Sequence, residues 1–137
     1  MKKILIVCGF AFFCAASAGS QELYIPAAAH SSGLSGTHWR SDLEVKARGE
    51  SPASFKIELL EENRNNSQAP ATEFTVAAGH SMRLGDVIGD VFGFEGNAAM
   101  RITTLSGAIQ VSSRTYNDDP EGTFGQFIPA FPAEEAA

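Results

Sequence analysis

The chain has 137 residues, with 10 basic and 16 acidic side chains, and its net charge is −6. A length in this range predicts one domain that buries a continuous hydrophobic core. The acidic balance argues against nucleic acid and anionic membrane surfaces as partners, because both are bound by basic faces.

The first eighteen residues have the pattern of a secretory signal peptide. Lys2 and Lys3 precede the apolar run ILIVCGFAFFCAA, and Ala16-Ser17-Ala18 forms an A-x-A cleavage site. The run is too short for a typical spanning helix, although an uncleaved anchor is the alternative interpretation. We therefore expect the mature chain to begin near Gly19 and to be secreted or held at the cell surface.

Both cysteines, Cys8 and Cys14, lie in this segment, so we expect the mature protein to contain no thiol and no disulfide. Loss of Lys2 and Lys3 leaves 8 basic and 16 acidic residues, which gives a net charge of −8. Residues 19–131 are predicted to form one domain, and residues 132–137 a tail or the remnant of a linker.

The first elements of this domain are predicted to be extended. Residues 23–26 indicate a short edge strand, and the small residues and glycines of 27–36 indicate a loop. From Thr37 the chain alternates, which predicts a half-buried strand. Its inward side chains are Trp39, Ser41, Leu43, Val45 and Ala47. After a turn at residues 49–52, a second strand of the same type carries Phe55, Ile57 and Leu59.

The middle of the chain is less regular. Residues 61–72 are polar and predict a solvated loop, and short strands follow around residues 74–76 and 82–84. Over residues 85–93 apolar side chains stand four apart, which predicts one or two helical turns. Asp86 is the expected N-cap and Gly93 the expected C-terminal stop, whereas Gly89 weakens the helix propensity.

The most regular pattern, residues 99–128, predicts a β-meander. Ser106-Gly107 separates two alternating runs, and glycine supplies the positive φ of a two-residue hairpin turn. The predicted register places apolar side chains on one face. Its pairs are Leu105 with Ala108, Thr104 with Ile109, Ile102 with Val111 and Met100 with Ser113. A closing strand is expected to end at Ile128.

Seven or eight short strands with one helical turn and no strand–helix alternation predict an all-β fold. We predict an antiparallel immunoglobulin-like β-sandwich with one short helical turn. The Cys–Trp–Cys pattern of immunoglobulin domains is absent from the mature sequence, so the prediction concerns architecture alone. A closed barrel is the alternative.

Three phrases resemble a module that recurs in exported and cell-surface proteins of environmental bacteria. They are IPAAAHSSGLSGTHWRSDLEV, MRLGDVIGDVFGFEGNAAMRI and IQVSSRTYNDDPEGTFGQFIPA. That module combines small residues after I-P-A with a G-T-x-W-R-[ST]-D-L core and an S-R-T-Y-N…G-T-[FY]-G-Q-F-I-P close. The resemblance implies a single-module or shortened member of a multi-module family, and it implies no activity.

No metal or cofactor is predicted. Asn117, Asp118, Asp119 and Glu121 place four oxygen-bearing side chains in five residues, as calcium loops do. The spacing of a calcium loop is missing and D-D-P-E-G is ordinary turn chemistry, so a turn is favoured, with calcium near Asp118 and Asp119 left open. The three histidines lack the spacing of zinc ligands. They are His30, His38 and His80.

No catalytic residue is predicted, and we expect the chain not to be an enzyme. A hydrolase could be built only from Gly79-His80-Ser81 and Asp86, but the G-x-S-x-G motif is absent. Glu61 and Glu62 lie in the predicted loop, where nothing would fix the separation that a glycosidase requires.

Aromatic and charged side chains give a few further expectations. Trp39 could stack on a sugar, but its place in the alternation favours the core. Tyr116 is expected beside Arg114 on the polar face, where it either contacts a ligand or covers the sheet. Arg40 and Asp42 are expected to pair with Arg114 across the strands.

Three hypotheses of function follow. The leading one is an exported, non-catalytic module with a structural, adhesion or surface-binding role and an unknown protein or glycan ligand. Its available surfaces are the polar strand faces and the loops 31–36, 61–72 and 118–122. The second is a carbohydrate-binding module, which needs aligned outward aromatics, and Tyr116 and Tyr24 are the candidates. The third is an exported hydrolase, which needs a cleft with convergent polar groups.

Overall fold

The computed structural model describes residues 19–136; the predicted signal peptide, with both cysteines, lies outside these residues. The strands are β1 (Glu22–Ser32), β2 (His38–Arg48), β3 (Ala53–Glu61), β4 (Ala71–Val76), β5 (Ser81–Leu84), β6 (Gly96–Ser106), β7 (Ala108–Asn117), β8 (Phe124–Pro129) and β9 (Phe131–Pro132). A helical turn spans Val87–Val91, and 3₁₀ turns span Leu34–Gly36, Asn66–Gln68 and Ala133–Glu135. All strand pairs are antiparallel, which confirms the prediction of a mainly antiparallel β protein. Over this part of the chain, no helix has the length and apolar character needed to cross a membrane.

The strands pair in two groups that share β1. Sheet I has the order β4-β3-β6-β1-β9, and sheet II has the order β5-β2-β7-β8. β1 pairs with β6 along most of its length, and its last residues, Ser31 and Ser32, pair with β2. The path of pairings within residues 19–136 is open, with β4 and β8 at its two ends.

β1 is longer than the sequence indicated. The loop predicted for residues 27–36 is wrong over Ala27–Ser32, which continues the strand. The register shifts between Ile25 and Ala28, where Pro26 occupies an irregularity that needs no ladder hydrogen bond from it. Such an irregularity bends a strand, and here β1 passes from sheet I to the edge of β2.

The two sheets contribute to one hydrophobic core. Alternate side chains of the long strands are buried, as the period-two patterns of the sequence predicted. Large members include Leu23, Ile25, Phe55, Ile57, Leu59, Met100 and Ile102 from sheet I, Leu43, Val45, Ile109, Val111 and Ile128 from sheet II, and Ile88 from the helical turn.

The predicted hairpin between β6 and β7 is wrong. β6 pairs with β1 and β3 in sheet I, whereas β7 pairs with β2 and β8 in sheet II. Ile102 lies opposite Leu23 and Ile57, and Val111 lies opposite Val45. Both side chains are buried, as predicted, but they belong to different sheets. The β7–β8 hairpin of the predicted meander is confirmed.

Gly107 joins the two sheets rather than closing a hairpin. Its φ is +71°, so the expected left-handed conformation is present. A Cβ at this position would lie 2.6 Å from the carbonyl oxygen of Pro52, which belongs to the β2–β3 connection. The β6–β7 connection and the β2–β3 connection therefore lie in close contact where each passes from one sheet to the other. Alternation could not distinguish this from a hairpin, because either arrangement buries the same side chains.

Candidate functional site

Trp39 is exposed at the end of β2, which corrects the prediction that it belongs to the core. Its exposed fraction is 37%, although Leu43 and Val45 on the same side of the strand are buried. The side chains around the indole include three consecutive alanines of β1, residues 27–29, and Ala98 and Ala99 of β6. Side chains this small leave the indole uncovered.

The uncovered volume is a cleft beside Trp39, which we call the Trp39 cleft. Its larger part has a volume of about 800 Å³ and runs between β1, the end of β3 and the start of β6. Its smaller part, about 370 Å³, lies between β1 and β8. Ala27, Trp39 and Thr115 line both parts, so the indole stands where the two parts meet.

Phe124 is a second exposed aromatic residue in the Trp39 cleft. Asn117 of β7 pairs with Trp39 on one side and with Phe124 on the other, so the three residues form one row across sheet II. Residues in such a row point to the same face of a sheet, and two strand spacings separate Trp39 from Phe124 by roughly 10 Å. Phe124 has an exposed fraction of 73% and lines the smaller part of the cleft.

Gly33 approaches the Trp39 indole closely. A Cβ on Gly33 would lie 2.9 Å from Nε1 of Trp39 and 2.2 Å from Oγ1 of Thr37. The loop is closed by a hydrogen bond from the Gly33 amide to the Thr37 carbonyl oxygen, at 2.8 Å. Only glycine at position 33 therefore fits beside this orientation of Trp39.

Polar side chains at the rim of the Trp39 cleft fall into two groups. Asn66 has a structural role, since its Oδ1 accepts from the Glu61 amide and its Nδ2 donates to the Glu61 carbonyl, both at 3.0 Å. Glu62 and Asn97 are exposed around the larger part, and Gln126 is exposed around the smaller part. Within residues 19–136, the side chains that line the two parts include no lysine or arginine.

A separate polar cluster lies on the outer face of sheet II, around the buried carboxylate of Asp42. This carboxylate accepts hydrogen bonds from Arg83, from the Asp86 amide at 2.9 Å and from the Tyr116 hydroxyl at 3.2 Å. Burial alone would raise the pKa of Asp42, but the hydrogen bonds and the charge of Arg83 together hold the pKa below its ordinary value. Asp42 therefore fastens the helical turn to β2.

Asp86 begins the helical turn, but it does not cap it as predicted. Its φ is +42°, and its side chain makes no capping hydrogen bond. Oδ2 instead lies 2.7 Å from His30 Nδ1 and 3.2 Å from Arg40 Nε. A Cβ on Gly89 would lie 2.2 Å from His30 Nδ1, so the glycine that weakens the turn makes room for the histidine.

The expected pairing of Arg40 and Asp42 with Arg114 is therefore wrong, although Asp42 and Arg114 are opposite in the register. Arg114 lies over the Tyr116 ring, 4.9 Å from its centroid, which confirms the predicted neighbourhood. Burial, followed by the charge of Asp42, raises the pKa of Tyr116. The Tyr116 hydroxyl is bound to Asp42, so this aromatic residue closes the polar cluster.

Tyr24, the other aromatic residue considered for sugar binding, lies on sheet I. Its hydroxyl donates to Glu22, and that hydrogen bond is the main cause of its raised pKa. Nearby, Arg101 binds both carboxylate oxygens of Glu58, at 2.8 and 2.9 Å. These hydrogen bonds outweigh burial and hold the pKa of Glu58 below its ordinary value. Tyr24 and Tyr116 are thus on different sheets and do not form one aromatic platform.

The residues considered for a hydrolase are not brought together. His80 and Ser81 lie at the start of β5, and Asp86 follows its other end. His80 Nδ1 is 2.9 Å from the carbonyl oxygen of Ala78 in the turn, and Asp86 contacts His30 instead. Glu61 is paired with Arg64 at 3.5 Å.

The acidic stretch after β7 has the hydrogen bonds of a turn. Asp119 accepts from the Glu121 amide at 2.9 Å, and the Gly122 amide donates to the Asp119 carbonyl at 3.0 Å. Nowhere in residues 19–136 do three or more acidic, histidine or cysteine side chains form a group that could hold a metal ion.

The sequence matches no family model, and no curated protein is significantly similar to it. Among solved structures, the crystal structure of Thermotoga maritima 1070 is similar to this chain, with a TM-score of 0.65 at 12% identity. The match covers 83% of this chain and 95% of that one. At this identity the likeness concerns the fold alone, and it carries no activity to this chain.

The sequence did not reveal the Trp39 cleft because the residues on its two sides belong to segments with separate patterns. The alternation around Trp39 indicated a buried face, and the three alanines at 27–29 indicated a loop. Once β1 brings these alanines beside Trp39, the same residues form the wall of a cavity. A large aromatic residue facing a run of small residues was the available signal.

Proposed function

We propose that the protein is an exported, non-catalytic module of immunoglobulin-like β-sandwich architecture that binds a ligand in the Trp39 cleft. The N-terminal pattern of residues 1–18 and the resemblance to exported modules support export. Two sheets that share one core and an open path of pairings support the sandwich over the closed barrel.

The observation that carries the proposal is the exposure of Trp39 at a concave surface. A tryptophan contributes a large apolar area, and a fold that buries 20 hydrophobic side chains within residues 19–136 would gain stability by burying it as well. Here the residues that line the cleft beside it include five alanines, and Gly33 approaches the indole closely. Concave sites with a fixed aromatic residue and a few polar groups are typical of ligand-binding pockets.

We propose that the protein has no catalytic activity because of the charge state and the positions of the side chains that could act as catalysts. The carboxylates of Asp42 and Glu58 have lowered pKa values and are held by arginines, so both stay ionised and neither suits a general acid. His80 and Asp86 lie at opposite ends of β5. We also propose that nucleic acid and anionic membranes are not partners, since the cleft lacks basic side chains and the chain is acidic overall.

The test uses the fact that Trp39 is the one tryptophan of the sequence, so fluorescence excited selectively at tryptophan reports on the cleft. The purified protein is screened against glycans, peptides and lipids, and compounds that change the emission are measured by calorimetry. We expect Trp39→Ala to abolish this binding, while Leu105→Ala, an exposed residue beside Ser106-Gly107, leaves it unchanged.

Ligands that bind Trp39→Ala as tightly as the native protein would contradict the proposal. The hydrolase hypothesis is examined in parallel with ester, peptide and glycoside substrates. Turnover that disappears on replacing His80, Ser81 or Asp86 would overturn the non-catalytic assignment in favour of a hydrolase.

A further inference from the structure

Resting on the proposed function, we infer that the Trp39 cleft binds a neutral oligosaccharide chain, with one sugar ring on Trp39 and another on Phe124. The charges that line the Trp39 cleft disfavour anionic ligands. Glu62 is at the rim, and the lining within residues 19–136 contains no lysine or arginine. A phosphate, sulfate or uronate group would enter without a counter-charge, which costs free energy, so anionic ligands are disfavoured and a neutral sugar chain meets no such cost.

The cleft offers both an apolar surface and hydrogen-bonding groups. Trp39 presents an apolar ring face, and the exposed side chains of Asn97 and Gln126 add amide groups that both donate and accept hydrogen bonds. Sugars are the ligands that need this combination, because each ring has an apolar C–H face and hydroxyl groups that donate and accept hydrogen bonds. Glu62 adds a carboxylate acceptor.

The separation of the two aromatic residues determines the length of the ligand. Trp39 and Phe124 lie on one face of sheet II, roughly 10 Å apart across β7. One sugar ring cannot cover two aromatic side chains at this separation, whereas a chain of several rings can. The two parts of the cleft, about 800 and 370 Å³, both have Trp39 in their lining, so a chain of sugar rings that occupies both parts passes this residue.

A peptide that binds by adding a strand is less suited to the larger part of the cleft. Such peptides need unpaired backbone groups. Along this wall β1 and β6 are paired with each other, Ala28 with Ala98 and Ala29 with Asn97. Binding of an apolar peptide in place of a sugar is therefore one of the outcomes that the test distinguishes.

The experiment is isothermal titration calorimetry of the purified protein with cellohexaose, xylohexaose, chitohexaose and maltohexaose, and with the disaccharide of each series. We expect at least one hexaose to bind and its disaccharide to bind at least about tenfold more weakly, because one aromatic contact is lost. Sulfated and uronate oligosaccharides are expected not to bind.

Two matched variants on β8 distinguish loss of the second sugar position from a general effect of removing an exposed phenylalanine. Phe124 and Phe127 are both exposed, but Phe124 lines the cleft whereas Phe127 lies on the opposite face of the strand. Phe124→Ala is expected to weaken the hexaose roughly tenfold and to leave the disaccharide within about twofold. Phe127→Ala should change neither. Circular dichroism confirms that both variants fold.

The outcomes distinguish this inference from the function on which it rests. Equal affinities for a hexaose and its disaccharide would overturn the inference that one sugar chain occupies two positions. A hexaose affinity that Phe124→Ala leaves unchanged would overturn it as well. If all neutral oligosaccharides fail while an apolar peptide or an anionic glycan changes Trp39 fluorescence, the ligand class is wrong and the cleft remains a binding site. If the full screen leaves Trp39 fluorescence unchanged, both proposals fail.

Discussion

Replacing Gly107 by alanine is expected to destabilise the fold by about 3 kcal/mol, and the structure gives two separate reasons. A non-glycine residue in the left-handed region costs about 1 to 2 kcal/mol, and φ of Gly107 is +71°. The added Cβ would also lie 2.6 Å from the Pro52 carbonyl oxygen and 2.9 Å from the Ala53 Cα. Backbone must move to relieve that overlap, which adds about 1 to 2 kcal/mol.

Gly49 provides the matched control, because its φ is +87° and a Cβ there would meet nothing within 4 Å. Gly49→Ala should therefore cost only the conformational part, about 1 to 2 kcal/mol. Equilibrium urea unfolding followed by circular dichroism measures both free energies of unfolding. In a β6–β7 hairpin Gly107 would sit in an open turn, so equal losses for the two variants would refute the crossing connections.

Three further predictions concern the core, acid stability and export. Ile102→Ala should lower the free energy of unfolding by about 2 to 4 kcal/mol, since Ile102 is fully buried, and Thr103→Ala by less than about 1 kcal/mol; equal losses would mean that the inward face is misassigned. The pKa values of Asp42 and Glu58 are lowered from 3.8 and 4.5, so their ionised forms stabilise the fold above these values and that stability is lost as the pH falls below them. Urea unfolding between pH 3 and pH 7 should show this loss, and a combined Asp42→Asn and Glu58→Gln variant should show a flatter profile. The intact mass of secreted protein should correspond to a chain that begins at or near Gly19, and a mass that includes residues 1–18 would contradict cleavage.

The elements of the fold could be predicted to a large extent, because alternation depends on burial alone. β2, β3, β7 and β8, the short strands around residues 74 and 82, and the helical turn all lie near their predicted positions. The partners of the strands could not be derived in the same way. Ile102 is buried both in a β6–β7 hairpin and in a sheet where β6 pairs with other strands. The alternation therefore did not reveal that β6 and β7 belong to different sheets.

The candidate site was less predictable, because it depends on which small residues face which large ones. Trp39 continues a buried face by its position in the strand, and only the alanines of β1 and β6 leave it open. Similarly, Gly89 weakens a helix in the sequence, and only the neighbouring His30 explains its presence. Such effects arise from contacts between distant segments, which periodicity does not contain.

The most direct test of the Trp39 cleft is nuclear magnetic resonance of the ¹⁵N-labelled protein during titration with the tightest compound of the fluorescence screen. The chain has one tryptophan, so a single indole N–H resonance reports on the site. We expect this resonance and the side-chain amides of Asn97 and Gln126 to shift, while the amides of Leu105 and Gly107 stay in place. Shifts centred on Asp42 and Tyr116, with the indole resonance unmoved, would contradict the Trp39 cleft as the binding site.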